Sequence, residues 1–113
     1  MGLALTDSVL DEVARQFRTL GEPLRLKILQ CLGDRERTVG ELAEAVGGSQ
    51  PNISRHLNTL HKGGLLTRRR EGNSIYYGVA DPVVFQLCDL VCKHHGKQIR
   101  KKLTALDSSR TKK

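Results

Sequence analysis

Two glycine pairs, Gly47-Gly48 and Gly63-Gly64, bracket a segment of helical period in the middle of this chain, and beyond the second pair the period becomes that of a strand. Glycine takes the left-handed turn that ends a helix without steric cost, so each pair reads as a stop. Ahead of the first pair, Thr38 stands three residues before Glu41, the spacing of a capping box. A short helix follows, with Val39, Leu42, Ala43 and Val46 along one face. Between the pairs, Ser49 is placed to cap a second helix and Pro51 falls in its first turn, where a missing N–H costs nothing. Ile53, Leu57 and Leu60 then recur at i, i+4 and i+7 as one inward stripe. After Gly64 come Leu65 to Arg70, a tip of Glu71-Gly72-Asn73, and Ser74 to Val79: two strands and a hairpin.

The outward arc of the second helix holds Pro51, Ser54, Arg55, Asn58, Thr59 and Lys62. It is polar, cationic and free of carboxylates, whereas a merely solvated face usually mixes both signs. Such a helix suits the major groove of duplex DNA, where hydrogen-bonding side chains meet base edges. Gln50, Asn52, Ser54, Arg55 and Asn58 are the candidate base or near-phosphate contacts. The run Arg68-Arg69-Arg70 leads to the hairpin tip and places positive charge where it can touch the backbone beside the groove. Two helices around a tight turn, followed by a charged hairpin, make a winged helix-turn-helix.

The flanking segments are helical. Thr6 or Asp7 caps a first helix in which Val9, Leu10, Val13, Ala14, Phe17 and Leu20 repeat down to Gly21. Pro23 opens a second, LRLKILQCL, with Leu24, Ile28, Leu29 and Leu32 inward, Arg25 and Lys27 outward, and Gly33 as its stop. Arg25 there has two readings, a phosphate contact or a solvated charge. The last helix starts at Pro82 and runs through VVFQLCDLVCKHHGKQIRKKL, with Val84, Leu87, Cys88, Val91, Cys92, His95 and Ile99 on one face. That face is too long for so small a domain to hide, so the terminal helices are the expected dimer seam. The expected architecture is mainly α with a small β-hairpin (α+β): four helices, two strands and a final helix in one domain over residues 1–106. DSSRTKK, residues 107–113, lacks periodicity and reads as a disordered basic tail.

A chain of 113 residues buries a modest core, which a partner copy would enlarge. The formal net charge of +7 favours a polyanionic partner. Few aromatics argue against stacking on single strands. No apolar run reaches membrane-spanning length and the N-terminus is acidic and amphipathic, so no membrane is expected and the expected location is cytoplasmic. An enzyme is disfavoured by the lack of a nucleophile elbow, a phosphate-cradling loop or a carboxylate pair.

Three cysteines, Cys31, Cys88 and Cys92, read as thiols, metal ligands or redox groups. Cys88 and Cys92 are i and i+4 on one helix face and His95 continues that stripe. A thiophilic ion such as As(III), Cd(II), Zn(II) or Cu(I) could use two thiolates with a third ligand from Cys31, His95, His94 or a partner chain. An i, i+4 pair makes a poor disulfide, so oxidation favours Cys31, the partner chain or a polysulfide link. The competing reading treats these cysteines as small hydrophobes of a helical seam. His56, at the flank of the second helix, is read as hydrogen-bonded to structure or phosphate, and His61, near the helix end, as suiting the helix dipole when protonated; neither is read as a metal ligand.

LRLKIL, ELAEAVGGSQPNISRHLNTLHKGGLL and RRREGNSIYYGVADP, taken together, resemble the ArsR/SmtB family of small bacterial repressors from about Phe17 to the end of the last helix. The resemblance implies a homodimer bound to an operator of imperfect two-fold symmetry and released by an inducer: a metal ion, a metalloid or a reactive sulfur species. The chain departs from familiar sensor patterns. Where arsenic sensors carry an ELCVCDLC-like cluster, it has GELAEAVGG; in place of the paired D-x-H and H-x-x-H ligands of zinc and nickel sensors, it has Asp89 with adjacent His94 and His95. Persulfide-sensing relatives place one cysteine in the second helix and one in the last, a pattern that Cys31 with Cys88 or Cys92 resembles with Cys31 one position late. A winged-helix module for DNA binding or protein interaction without any ligand, its cysteines structural, stands as the alternative.

Overall fold

The computed structural model describes residues 5–111, with side chains to residue 105. In chain order the elements are α1 (Asp7–Leu20), α2 (Pro23–Leu32), β1 (Arg37–Thr38), α3 (Val39–Val46), α4 (Gln50–Lys62), β2 (Leu66–Glu71), β3 (Ser74–Val79) and α5 (Pro82–Thr111). The helix starts and stops follow local chemistry. Thr6 accepts the Val9 N–H to cap α1, and Ser49 accepts the Asn52 N–H to cap α4. At α3 both arms of the capping box are made: the Thr38 hydroxyl accepts from the Glu41 N–H at 3.2 Å, and the Glu41 carboxylate accepts from the Thr38 N–H at 2.9 Å. Gly47 ends α3 in the left-handed region at φ 77°, where an L side chain would be strained.

The hairpin is joined by two residues, Gly72 and Asn73, since Glu71 and Ser74 already pair across it. Gly72 has φ 63° and, among the described residues, no non-glycine has positive φ, so the turn is of the II′ kind whose twist matches the strands. The sheet differs from the expected two-stranded hairpin. A third strand, β1, pairs antiparallel with β3, Arg37 opposite Tyr77 and Thr38 opposite Tyr76, giving the order β1-β3-β2. Two residues are too short to show a period, and this strand exists only because the far edge of β3 is there to pair with it.

Ile28, Leu29 and Leu32 of α2 meet Leu42 of α3 and Ile53, Leu57 and Leu60 of α4 in a core closed by Leu65, Leu66 and Tyr77. α2 is the central helix of that core. From α5, Cys88 is buried and Val84 packs partly against the core, while Val83, Leu87, Leu90, Val91, Ile99 and Leu103 remain exposed. Val9, Leu10, Val13 and Phe17 of α1 are exposed as well. Thus the terminal helices carry apolar surface that one protomer does not cover. α5 also continues as helix to Thr111, into the segment read as an irregular tail. No glycine or proline interrupts it there, and each added residue of a formed helix gains a backbone hydrogen bond. None of the described helices is long and apolar enough to cross a membrane.

These assignments predict that Thr38→Ala, which removes one arm of the capping box, costs about 1 kcal/mol. Leu57→Ala, which opens the core beneath α4, costs about 2–5 kcal/mol. Urea unfolding at one fixed protein concentration measures both; equal losses would contradict the separation of cap from core.

Candidate nucleic-acid interface

The buried stripe of α4 orients its other side outward. Ile53, His56, Leu57 and Leu60 are buried; Gln50, Arg55, Asn58 and Lys62 are exposed, and Asn52 and Ser54 are half-buried at the rim. Arg55 donates to the Asn52 side-chain oxygen, so these two side chains sit together one turn into the helix. All five expected contact residues of α4 therefore lie together on its polar side, which contains no carboxylate.

His56, 6% exposed, ties this helix to the body of the domain. Its Nδ1 accepts a hydrogen bond of 3.1 Å from Nε of Arg25, while Nη1 of the same guanidinium donates to the Thr19 carbonyl at 2.9 Å. An accepting Nδ1 requires a neutral imidazole with its proton on Nε2. The environment agrees: burial first, then the charges of Arg55 and Arg25, push the His56 pKa below its usual value, against a smaller opposing pull from Glu22. Arg25 is not the freely solvated charge of one of its two readings. It is turned inward as a brace between the end of α1, α2 and α4, because the Thr19 carbonyl and the imidazole nitrogen both accept from one guanidinium.

In the wing, strand alternation separates the three arginines. Arg68 lies opposite Tyr77 and Arg70 opposite Ile75, on the face that packs toward α4; Arg69 lies opposite Tyr76 on the other face. Arg69 is engaged there. Its Nε and Nη2 contact the Glu36 carboxylate at 3.0 and 2.8 Å, Nη1 contacts Glu71 at 2.9 Å, and the guanidinium lies 4.8 Å from the centre of the Tyr76 ring. Hydrogen bonds to Glu36 and then Glu71 raise its pKa further above the usual arginine value. The three arginines grouped in the sequence thus differ in their surroundings: Arg69 ties the wing to the turn before β1, and Arg68 and Arg70 are exposed without such partners among the described residues.

The cysteines are distributed over two elements. Cys88 is buried, and burial, with a smaller contribution from Cys92, raises its thiol pKa. Cys92 and Cys31 are half-buried and line one cleft of about 360 Å³ between α2, α3 and α5, together with Leu26, Gln30 and Val46. Cys92 also borders an apolar hollow with Phe17, Leu87, Cys88 and Val91. His95 is exposed, its ring edge-on to that of His94 at 5.2 Å. Asp89 is occupied by Lys93 at 3.0 Å. Among the described residues no three His, Cys, Asp or Glu side chains converge as a metal group, so the expected set of Cys31, Cys88, Cys92 and His95 is not assembled within one chain. The structure brings Cys92 to Cys88 on one side and to the Cys31 cleft on the other.

A polar, carboxylate-free helix held from behind by a core and flanked by a cationic hairpin defines a winged helix-turn-helix DNA-binding protein. Residues 20–69 match a helix-turn-helix domain family. An HTH-type transcriptional regulator of Mycobacterium tuberculosis is 34% identical over 98 residues, covering 86% of either chain. A probable mercury resistance operon repressor of Streptomyces lividans is 46% identical over 77 residues, 68% of this chain; the alignment spans 62% of that repressor's length. Among solved structures, the homodimeric winged helix-turn-helix DNA-binding domain of a possible ArsR-family transcriptional regulator from Mycobacterium bovis superposes with a TM-score of 0.76 at 34% identity, covering 88% of this chain and 93% of that one. The chain belongs to the ArsR/SmtB family of winged helix-turn-helix transcriptional repressors. It is a transcriptional regulator.

His56 gives the fold a specific acid sensitivity. Its folded-state pKa is depressed, so above the usual histidine value of 6.5 both states are neutral and its full contribution is present. As pH falls below that value the unfolded chain takes up the proton first and stability is lost, until the folded value is passed. His56→Gln keeps an acceptor for Arg25 but cannot titrate. Between about pH 7.5 and 5.5, urea unfolding should show the native protein losing more stability than this variant; parallel losses would overturn the assignment.

Proposed function

We propose that the chain acts as a homodimer, joined through the exposed apolar faces of α1 and α5, that occupies a duplex operator of imperfect two-fold symmetry and leaves it when a thiol-reactive inducer acts at the last-helix cysteines. The observation that carries the DNA half of this reading is the carboxylate-free outer side of α4, on which Gln50, Asn52, Ser54, Arg55 and Asn58 stand together. Arg55 and Asn58, exposed on the central turns, are suited to base edges, and Gln50, Asn52 and Ser54 to bases or adjoining phosphates near the helix start. Arg68 and Arg70 supply backbone contacts from the wing, with Arg69 as their brace. Homodimerisation of the Mycobacterium bovis domain supports the seam, since both terminal helices here present uncovered Val, Leu, Ile and Phe side chains.

For the inducer, the supporting observation is the shared cleft of Cys31 and Cys92. The thiolate is the reactive form of cysteine, and Cys88, buried with its pKa raised, is poorly placed to supply it. Cys92, on the wall of an open cleft and at the edge of the α1–α5 hollow, is the thiol that reacts, with Cys31 as its partner. A thiophilic ion such as As(III), another soft metal, or a reactive sulfur species fits two thiols at a cleft; three-coordinate As(III) would take its further ligand from Cys88, His95 or the partner subunit. The likeness to a repressor of mercury resistance supports a soft-ion or sulfur chemistry. Reaction at Cys92 would shift α5 against α2, and α2 is joined through Arg25 to the recognition helix; release of DNA is then a coupling free energy between two sites.

Anisotropy of a labelled duplex from the chain's own upstream promoter tests both halves. Arg55→Ala should weaken binding by at least about tenfold with the circular dichroism unchanged; native affinity would count against this face. With As(III) or a persulfide donor added at fixed salt, native protein and Cys88→Ser should leave the duplex and Cys92→Ser should stay. Release of Cys92→Ser would remove the thiol switch. Tight binding by native protein unmoved by every agent would favour the ligand-free reading, its cysteines being packing residues.

A further inference from the structure

We propose that His61, Arg68 and Arg70 together form a binding site for one phosphate of the DNA backbone, set in the notch between the end of α4 and the wing. The proposal rests on the operator-binding reading above and adds to it a residue of the recognition helix not counted among the contacts. The three side chains, with Ile75 as an apolar wall, line a concavity of about 370 Å³. No carboxylate is among its lining residues.

The arrangement follows from two periodicities that meet there. On α4, Ser54, Asn58 and His61 fall at i, i+4 and i+7, so His61 continues one edge of the DNA-facing arc to the helix end. On β2, Leu66, Arg68 and Arg70 share the sheet face whose partners are Val79, Tyr77 and Ile75. That face begins in the core at Leu66 and becomes cationic as the strand leaves the core for solvent. Arginine at two successive positions of a core-side face is unexplained by packing, since both side chains are exposed. Unlike Arg69, neither Arg68 nor Arg70 makes a side-chain hydrogen bond or ion pair to another described residue, and the His61 ring makes none either. Donor groups from two elements therefore border an uncompensated positive notch. A phosphodiester, with two non-bridging oxygens and one negative charge, matches two guanidinium forks and an imidazole N–H. Position also fits: a backbone flanking the groove occupied by α4 must pass between that helix and the wing.

A phosphate contact lowers the salt dependence of binding when lost, and does so equally on any sequence. Full-length protein is titrated by anisotropy against its promoter duplex and an unrelated duplex, with salt varied between about 50 and 200 mM. Arg68→Gln and Arg70→Gln should each reduce the slope of log affinity against log salt by about 1 on both duplexes. His61→Ala should weaken both complexes by about tenfold, and His61→Arg should restore them. Variants that remain folded by circular dichroism and keep native affinity and slope would overturn the site, as would losses confined to the promoter duplex, which indicate base reading. If the native protein binds neither duplex, the operator-binding reading falls and the site falls with it.

Discussion

A DNA-reading helix must be held by one side only, and the rest of this structure depends on how α4 meets that constraint. Ile53, Leu57 and Leu60 are fully buried against α2 and α3 and, with the buried His56 held by Arg25, they anchor the helix without using any of its outward polar side chains. Burying such residues is favourable by about 1.5–3 kcal/mol each, enough to keep a 13-residue helix formed and aimed when helices of that length are marginal alone. The glycine turn before α4 and the two caps set its direction. The wing then grows from the same core through Leu65, Leu66 and Tyr77, so helix and hairpin share one foundation.

The second constraint is charge. A surface of net positive sign is useful for holding a polyanion only where its cations are not consumed internally. Here the consumed ones are identifiable. Arg25 spans the Thr19 carbonyl and the His56 ring, and Arg69 is shared between Glu36 and Glu71. These arginines give shape: one braces the recognition helix, the other braces the wing. The exposed Arg69 pairs add little stability by themselves, but they hold the strand that presents Arg68 and Arg70 on the opposite face.

The same brace joins the two ends of the molecule. Arg25 touches the last turn of α1, whose outer face carries exposed apolar side chains, and it touches the recognition helix through His56. Gln16 adds a second tie, donating to the Gly63 carbonyl at the end of α4 at 3.1 Å. A seam built on α1 and α5 therefore lies one hydrogen bond from the reader, and the Cys31–Cys92 cleft shares α2 with it. Such short connections through packed helices are the kind of element on which an inducer's differential contact can act.

Much of this was readable in the chain because its causes are local. Thr38 and Ser49 act within three residues, the stripes of α2 and α4 repeat every turn, and the change from helical to strand period after Gly64 needs no distant partner. The carboxylate-free arc of α4 and the cationic hairpin are likewise properties of sequence order, which is why the winged helix and the outward polar arc of its second helix could be named in advance. The tertiary structure alone decided which charges are free and which thiols meet. Arg25 and His56 lie 31 positions apart and Arg69 and Glu36 lie 33 apart, so no spacing rule connects them. The strand β1, the separation of Cys88 from the cleft shared by Cys31 and Cys92, and the pairing of His61 with the wing arise in the same way. Local periodicity determines which face of an element turns inward; what that face then meets depends on chain distant in sequence, brought there by burial of the common core.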